Sequence, residues 1–161
     1  MNQLNTYQQF KVRVQLVRDR PAKSLPIIQL NSPQDVYLIF KDELMKSDRE
    51  RFLSVMLNSR NQIIAIDEVS IGSLTAMIVH PRELFKSAIL ANANSLVLVH
   101  NHPSDDPAPS PEDIAMTEKL IQAAQILNID ICDHIIITQH DYSSWSEEWA
   151  SHTVIPDDLP F

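Results

Sequence analysis

The feature that most constrains this chain is its near absence of glycine. Gly72 is the only glycine among 161 residues. Because glycine is the residue that adopts positive φ angles most readily, tight turns usually depend on it. This chain must instead build its turns from Asn, Asp, Ser and its ten prolines. With 44% hydrophobic and 21% charged residues, the composition is still that of a folded protein, and the length predicts a single domain.

Helical and strand patterns alternate along the chain, which predicts a mixed α/β fold. Helices are predicted at 33–45, 81–89 and 113–127, and strands at 11–17, 51–57, 62–69, 95–99 and 129–138. The run 95–99 is continuously apolar, as in a buried central strand. We therefore divide the chain into an N-terminal strand and connector (1–31), a central domain (32–147) and an acidic tail (148–161) that we expect to be mobile.

Charge and cysteine content limit the classes of function. The net charge of −8 opposes binding to phosphate backbones, which depends largely on Lys and Arg. A basic N-terminal arm is the one segment that offers nucleic acid a contact, and it contains Lys11, Arg13, Arg18, Arg20 and Lys23. Cys132 is the only cysteine, so an internal disulfide is excluded and a reducing compartment fits. With no apolar run long enough to span a membrane, we expect a cytoplasmic protein.

One short segment concentrates residues with metal chemistry. His100 and His102 lie at the exit of the predicted central strand, and Ser110 and Asp113 follow at the start of the next helix. Side chains two residues apart on a strand point to the same side, so both imidazoles can converge on one cation. Catalytic zinc sites commonly have three protein ligands and leave one position to water. His100, His102 and Asp113 would supply such a set for one Zn²⁺ per chain.

Asp113 and Ser110 also have a purely structural interpretation. Ser-Pro-Glu-Asp is a typical helix start, in which Ser110 is the N-cap and Asp113 completes a capping box. Ser32-Pro33-Gln34-Asp35 has the same form without histidines nearby, so this tetrapeptide by itself does not indicate a metal. Ligation and capping therefore remain alternatives for Asp113 at this point. Likewise, Ser110 is either an N-cap or a contact for the reacting water and oxyanion, or both.

The motifs resemble those of a known family. His-x-His-Pro followed by Ser-x-x-Asp is similar to the JAMM motif of MPN-plus metallopeptidases. The sequence segments HNHPS, PSPED, HPRE and DHIII resemble more specifically the C-terminal JAB/MPN domain of the RadC family, and the resemblance covers about residues 32–147. The resemblance implies a cytidine-deaminase-like α/β sheet between helices, with zinc held by the two motif histidines and the motif aspartate. It also implies an upstream glutamate as acid/base, for which Glu68 is the match.

Two positions depart from the family pattern. Asp105 stands where the family usually has glycine, and residues 139–141 replace a turn that usually contains glycine. Asp105 adds a carboxylate beside the expected site, where it is a potential competing ligand. The DHIII histidine, His134, is interpreted as a core residue or as a support for the ligands.

These observations predict a zinc-dependent hydrolase that cleaves an amide or isopeptide bond with a metal-activated water. Glu68 would be the general acid/base, Ser110 would stabilise the oxyanion, and a peptide or protein would be the substrate. A RadC-type protein acting on or near DNA is one alternative, and a non-catalytic MPN-like scaffold that binds a partner is another. The acidic charge argues against the first, and the retained ligand residues argue against the second.

Overall fold

The computed structural model describes residues 27–72 and 79–149. Its helices are α1 (Pro33–Leu44), α2 (Pro81–Leu90) and α3 (Pro111–Leu127), and its strands are β1 (Arg51–Leu57), β2 (Ile63–Ile71), β3 (Ser95–Asn101), β4 (Asp130–Ile137) and β5 (Tyr142–Ser144). A π-helical turn, Trp145–Trp149, follows β5. The predicted mixed α/β class is confirmed. The predicted strand 11–17 and the tail from residue 150 lie outside the described residues.

The five strands form one mixed sheet in the order β2-β1-β3-β4-β5. β1 is antiparallel to both β2 and β3, whereas β3 and β4 are parallel. Every residue of β3 is buried, as its continuous apolar run predicts. The chain leaves the carboxyl end of β3, enters α3 and returns as β4. Ligands in α/β proteins commonly bind beyond the carboxyl ends of such strands, and the predicted metal ligands lie there.

Side chains on the two faces of the sheet form two large buried clusters, and a third, small cluster consists of Ile136 and Trp145. One packs beneath α1 and includes Leu53, Val55, Val97 and Val99. The other packs beneath α2 and α3 and includes Phe52, Met56, Leu96 and Leu98. The alternation follows from the period of two along a strand. It also decides which side chains can meet at the carboxyl end of β3, because only one face carries α3.

The scarcity of glycine has the predicted consequence for turns. Within the described residues, four non-glycine residues have positive φ: Asn61 (56°), Asn92 (53°), Asp105 (63°) and Asn128 (51°). Asn and Asp tolerate the left-handed region better than other non-glycine residues, because their short side chains bond to nearby backbone. The prediction that Asn and Asp replace glycine in the turns is therefore confirmed.

The predicted helices and hairpin are found with small shifts at their ends, but two local features were not predicted. β5 has only three residues, too few for a visible period, and the π-helical turn follows it directly. Cys132, on β4, is exposed, although a free cysteine is more often a buried, small apolar residue. Over the two described ranges, the helices are too short or too polar to traverse a bilayer.

Candidate metal centre

The three predicted ligands come together at the end of β3. His100 is within the strand, and His102 follows it, with its backbone N–H donating to Ile137 O on β4 (2.9 Å). Asp113 lies in the first turn of α3. The Nε2 atoms of the two histidines are 3.0 Å apart. Asp113 Oδ1 is 3.4 Å from His100 Nε2, and its Oδ2 is 3.5 Å from His102 Nε2. This is the one His/Cys/Asp/Glu group that could hold a metal ion within the searched part of the chain.

The hydrogen bonds made by the Nδ1 atoms of the two histidines show that their Nε2 atoms face the candidate metal position. His102 Nδ1 lies 2.8 Å from Asp106 O, and a carbonyl oxygen only accepts, so this nitrogen carries a proton. His100 Nδ1 lies 2.8 Å from His134 Nε2. In a neutral imidazole only one nitrogen is protonated. The Nε2 lone pair of neutral His102 therefore points at His100 and Asp113.

The donor set fits a tetrahedral divalent metal. Ligand atoms about 2.05 Å from a tetrahedral ion are about 3.3 Å apart. At the site the two Nε2 atoms are 3.0 Å apart, and each lies 3.4 or 3.5 Å from a different oxygen of Asp113, so these distances are close to that value. One ligand atom from each of the three residues lies within 4.8 Å of the others. Two imidazole nitrogens and a carboxylate oxygen, facing one another in a buried position, repel unless a positive species lies between them. A metal ion meets this need, as does a proton in its absence.

The electrostatics agree with ligand protonation states that suit a metal. Burial lowers the pKa of His100 to about 3, so the ring is neutral at pH 7. Burial raises the pKa of Asp113, but hydrogen bonds from His102 and Ser110 outweigh this and hold it well below its ordinary value. Burial lowers the pKa of His102, yet the hydrogen bond to Asp113 raises it overall. Asp113 is thus ionised, and of the two histidines His102 is the one whose surroundings favour the protonated form in the absence of a metal.

Asp113 satisfies both interpretations of its position. Ser110 is the N-cap of α3, and a reciprocal capping box is present. Asp113 Oδ2 accepts from the Ser110 backbone N–H (2.9 Å) and hydroxyl (2.5 Å), and Ser110 Oγ accepts from the Asp113 N–H (3.1 Å). Oδ1 remains directed at His100. The cap therefore orients the carboxylate toward the histidines, and the single hydroxyl proton of Ser110 is engaged with Asp113.

Glu68 is not brought together with these residues. It lies on β2 opposite Leu53, and Leu53 lies opposite Val99 on β3. Residues opposed across neighbouring strands point to the same face. His100 is opposite Phe52 and therefore points to the other face. The Glu68 carboxylate instead accepts a hydrogen bond from Arg51 Nε (2.6 Å).

A different glutamate, Glu50, lies near the candidate metal ligands. It directly precedes β1 and is two residues before Phe52, so the strand period places it on the face of His100. Glu50 is partly buried, and its charge interacts with those of His102 and Asp113. Burial, and then the negative Asp113, raise the pKa of Glu50 above its ordinary value, although His102 opposes this. Sequence reasoning missed Glu50, because both glutamates lie at the same end of one hairpin.

Asn101, between the two histidines, anchors the backbone on both sides of Glu50. Its Oδ1 accepts from the Arg51 N–H (2.8 Å), and its Nδ2 donates to Arg49 O (3.1 Å). Asn101 is fully buried. The short stretch at the end of β3 therefore carries the two candidate ligand histidines, and it also holds the backbone on either side of Glu50 in place.

The two departures from the family pattern contact each other. Asp105 has a left-handed φ of 63°, which explains why glycine also suits this position. Its carboxylate accepts from the Gln139 N–H (2.9 Å) and pairs with His140 Nδ1 (2.7 Å). The hydrogen bond to His140 lowers the pKa of Asp105. The carboxylate expected as a competing ligand is thus directed to the turn after β4.

Comparison with known proteins agrees with this geometry. Residues 30–150 match the family described as RadC-like JAB domain. Similar proteins include UPF0758 proteins of Desulforamulus reducens (49% identical over 77% of this chain and 54% of the relative), Methanosarcina mazei (48% over 76% and 54%) and Desulfitobacterium hafniense (43% over 86% and 62%). The chain thus spans little more than half the length of these curated relatives. With a mixed sheet, a His-His-Asp group at its centre and a match over most of its length, this chain belongs to the RadC-like JAB domain family.

Proposed function

We propose that this chain is a zinc-dependent hydrolase of the JAMM type that cleaves an amide or isopeptide bond. The observation that supports it most strongly is the buried convergence of two imidazole nitrogens and one carboxylate, in which each Nε2 lies 3.4 or 3.5 Å from one of the carboxylate oxygens. His100, His102 and Asp113 would hold one Zn²⁺ per chain. Zinc at such a site lowers the pKa of water to about 7 and so supplies a nucleophile at neutral pH.

We assign the proton transfers to Glu50 rather than to Glu68. A general base must be close to the reacting water, and its pKa should lie nearer the working pH than that of a free carboxylate. Glu50 is on the correct face of the sheet, and its pKa is raised by burial. It would accept a proton as water attacks the carbonyl carbon, and return that proton to the nitrogen as the C–N bond breaks. Glu68 has an ion-pair partner in Arg51 and lies on the opposite face.

Ser110 remains our candidate for stabilising the oxyanion. Its hydroxyl donates to Asp113, one of the proposed ligands (2.5 Å), and this supports a role close to the proposed metal. The proton now donated to Asp113 would turn to the substrate oxygen as negative charge develops there. Its structural contribution as N-cap is separate, because the backbone N–H of Ser110 also bonds to Asp113.

We propose a peptide or protein as the substrate and the cytoplasm as the location. A net charge of −8 disfavours polyanionic substrates, and a single cysteine suits a reducing compartment. The basic segment with Lys11, Arg13 and Arg18 precedes the described residues and is the one candidate contact for nucleic acid.

The decisive experiment combines metal analysis with a substrate panel. Purified protein should carry about one zinc per chain and should hydrolyse a member of a panel of peptide and isopeptide amides. Single- and double-stranded DNA are tested in parallel. Cleavage of DNA alone would overturn the reaction class, and absence of any stoichiometric metal after zinc loading would overturn the proposal as a whole.

A matched pair of variants then tests the base. Glu50→Gln should keep zinc and lower kcat by about 100- to 10,000-fold, because Gln retains the shape but cannot accept the proton. Glu68→Gln, which loses only the bond to Arg51, should retain kcat within a few-fold. The reverse result would return the catalytic role to Glu68.

A further inference from the structure

A chain of buried hydrogen bonds leads from His100 away from the metal position. His100 Nδ1 lies 2.8 Å from His134 Nε2 on β4. His134 Nδ1 lies 2.6 Å from Thr117 Oγ1 on α3. The Thr117 hydroxyl in turn lies 2.7 Å from the carbonyl oxygen of Asp113, one turn earlier in the same helix. The chain therefore links the two metal-facing residues on their far sides.

Donors and acceptors along this chain are fixed by the carbonyl at its end. A carbonyl oxygen cannot donate, so the one hydroxyl proton of Thr117 goes to Asp113 O. Thr117 Oγ1 must then accept from His134 Nδ1–H. A neutral His134 has no second ring proton, so its Nε2 accepts from His100 Nδ1–H. The same rule leaves a lone pair on His100 Nε2, the atom that faces His102 and Asp113.

Water cannot easily replace any member of the chain. His100, His134 and Thr117 are all fully buried. Phe52, also fully buried, stacks on His100 with a centroid distance of 5.9 Å and contacts His134 edge-on at 5.3 Å. In a site closed to solvent, each polar hydrogen must find its acceptor within the protein, because no water replaces a missing partner. In the reverse pattern the Thr117 proton would turn to His134, and the Thr117 and Asp113 oxygens would face each other at 2.7 Å with no proton between them. The first pattern is therefore preferred.

We propose that Thr117 and His134 are positioning residues that set the tautomer of His100 and thereby prepare its Nε2 to bind the metal. This inference rests on the proposed metal site and adds a function for two residues that do not face the metal. The Thr117 hydroxyl determines which ring nitrogen of His134, and therefore of His100, carries the proton. Without it, His134 can place its proton on Nε2 instead, which makes His100 Nδ1 an acceptor and puts the His100 proton on the metal-facing nitrogen.

The first test reads the tautomers directly by ¹⁵N NMR of the imidazole rings in metal-free, full-length protein. Wild type should show His100 and His134 protonated at Nδ1. Thr117→Val should shift both toward the Nε2–H form, whereas Thr117→Ser, which restores the hydroxyl, should behave as wild type. A His100 that is protonated at Nε2 in wild type, or that is unchanged in Thr117→Val, would overturn the proposal.

The second test measures zinc affinity by competition with a chelator. Thr117→Val should bind zinc about 10- to 100-fold more weakly, the usual effect of removing a group that orients a metal ligand. Thr138→Val is the matched control, since Thr138 is also fully buried and also donates its hydroxyl to a carbonyl, Asp141 O (2.8 Å), without contacting the histidines. Thr138→Val should be destabilised by about as much as Thr117→Val, but it should bind zinc with the affinity of the wild type. Equal affinity in the two valine variants would contradict the proposal.

Asp113→Asn separates failure of this proposal from failure of the metal site. If wild type binds zinc and Asp113→Asn does not, the metal site stands, and the Thr117 variants then decide on the positioning role. If wild type itself does not bind zinc, the proposed function fails, while the NMR result in metal-free protein still shows whether the hydrogen-bond chain sets the tautomer.

Discussion

Helices α1 and α3 begin with nearly the same four residues but in different surroundings. Both starts have Ser as N-cap, Pro at the first helical position and a complete capping box. Asp35 Oδ2 accepts from the N–H groups of Asn31 (2.8 Å) and Ser32 (3.0 Å) and lies near the surface. Asp113 Oδ2 likewise accepts from the N-cap N–H, that of Ser110 (2.9 Å), and also from the Ser110 hydroxyl (2.5 Å), but Asp113 is only 8% exposed and faces two histidines.

The difference shows that one carboxylate can both cap a helix and face a group of candidate metal ligands. A capping bond uses one oxygen and leaves the second free. At α1 the rest of the carboxylate meets solvent, and its pKa is lowered chiefly by the backbone of Asn31. At α3 the carboxylate meets imidazoles from β3, the strand that precedes the helix. The tertiary neighbours decide which of two similar starts becomes part of a site.

The largest expected effect is a loss of zinc affinity when the negative charge of the aspartate at the start of α3 is removed. Asp113→Asn should weaken zinc binding more than about 100-fold, because the amide can still cap the helix but does not replace an anionic ligand. Asp35→Asn should leave zinc binding unchanged. Isothermal titration with zinc checks both. Full zinc occupancy in Asp113→Asn would reduce Asp113 to a helix cap.

Acid should destabilise the metal-free protein mainly by protonating the buried histidines near the start of α3, and not through the start of α1. The folded pKa of His100 is about 3, below its ordinary value of 6.5. The unfolded chain therefore binds a proton that the folded one does not, so the free energy of unfolding decreases as pH falls from about 6.5 toward 3. Burial lowers the pKa of His134 in the same direction. The raised pKa of His102 acts oppositely, and its contribution is lost as pH rises through that pKa.

Urea unfolding in EDTA at pH 4.5–6.5 measures this effect. Each buried neutral histidine contributes a slope of up to about 1.4 kcal/mol per pH unit. His100→Gln should flatten the pH dependence, whereas Asp35→Asn should leave it as in wild type, because a lowered carboxyl pKa matters only below about pH 4. An unchanged slope in His100→Gln would contradict the buried, neutral state of that ring.

The two N-cap serines should differ more in zinc affinity than in stability. Ser32→Ala and Ser110→Ala should each lower the free energy of unfolding by about 1 kcal/mol. Ser110→Ala should also weaken zinc binding by about 10-fold, because its hydroxyl orients the ligand carboxylate. Parallel denaturation and zinc titration of both variants check this. Identical zinc affinities would leave Ser110 as an N-cap without influence on the metal.

The smallest effect is expected from Gln34→Glu, which makes the start of α1 identical in sequence to that of α3. An added negative charge in the first helical turn should stabilise the protein by about 0.3–1 kcal/mol. The variant should gain no second zinc, as atomic absorption would show. A second bound zinc would mean that the tetrapeptide itself, and not its neighbours, makes the site.

Much of the site could be predicted from the sequence because its signals are local. The spacing of His100 and His102 at the end of an apolar run places both imidazoles at one strand end. The helix start fixes Asp113 within the first turn of α3. The scarcity of glycine correctly predicted that Asn and Asp would occupy turn positions with a left-handed backbone conformation. These properties depend on residues that are close in sequence, so pattern and spacing are sufficient.

Only the tertiary structure decided which glutamate accompanies the metal ligands. Glu50 and Glu68 flank the same hairpin, and their positions in sequence are equally compatible with proximity to His100. The sheet order puts β1, not β2, beside β3, and the register places Glu68 on the face opposite to His100. A shift of one residue in register exchanges the two faces of a strand. Local sequence thus determined the candidate metal ligands and the helix cap, whereas strand order and register, which arise from packing of distant segments, determined which acid lies beside them.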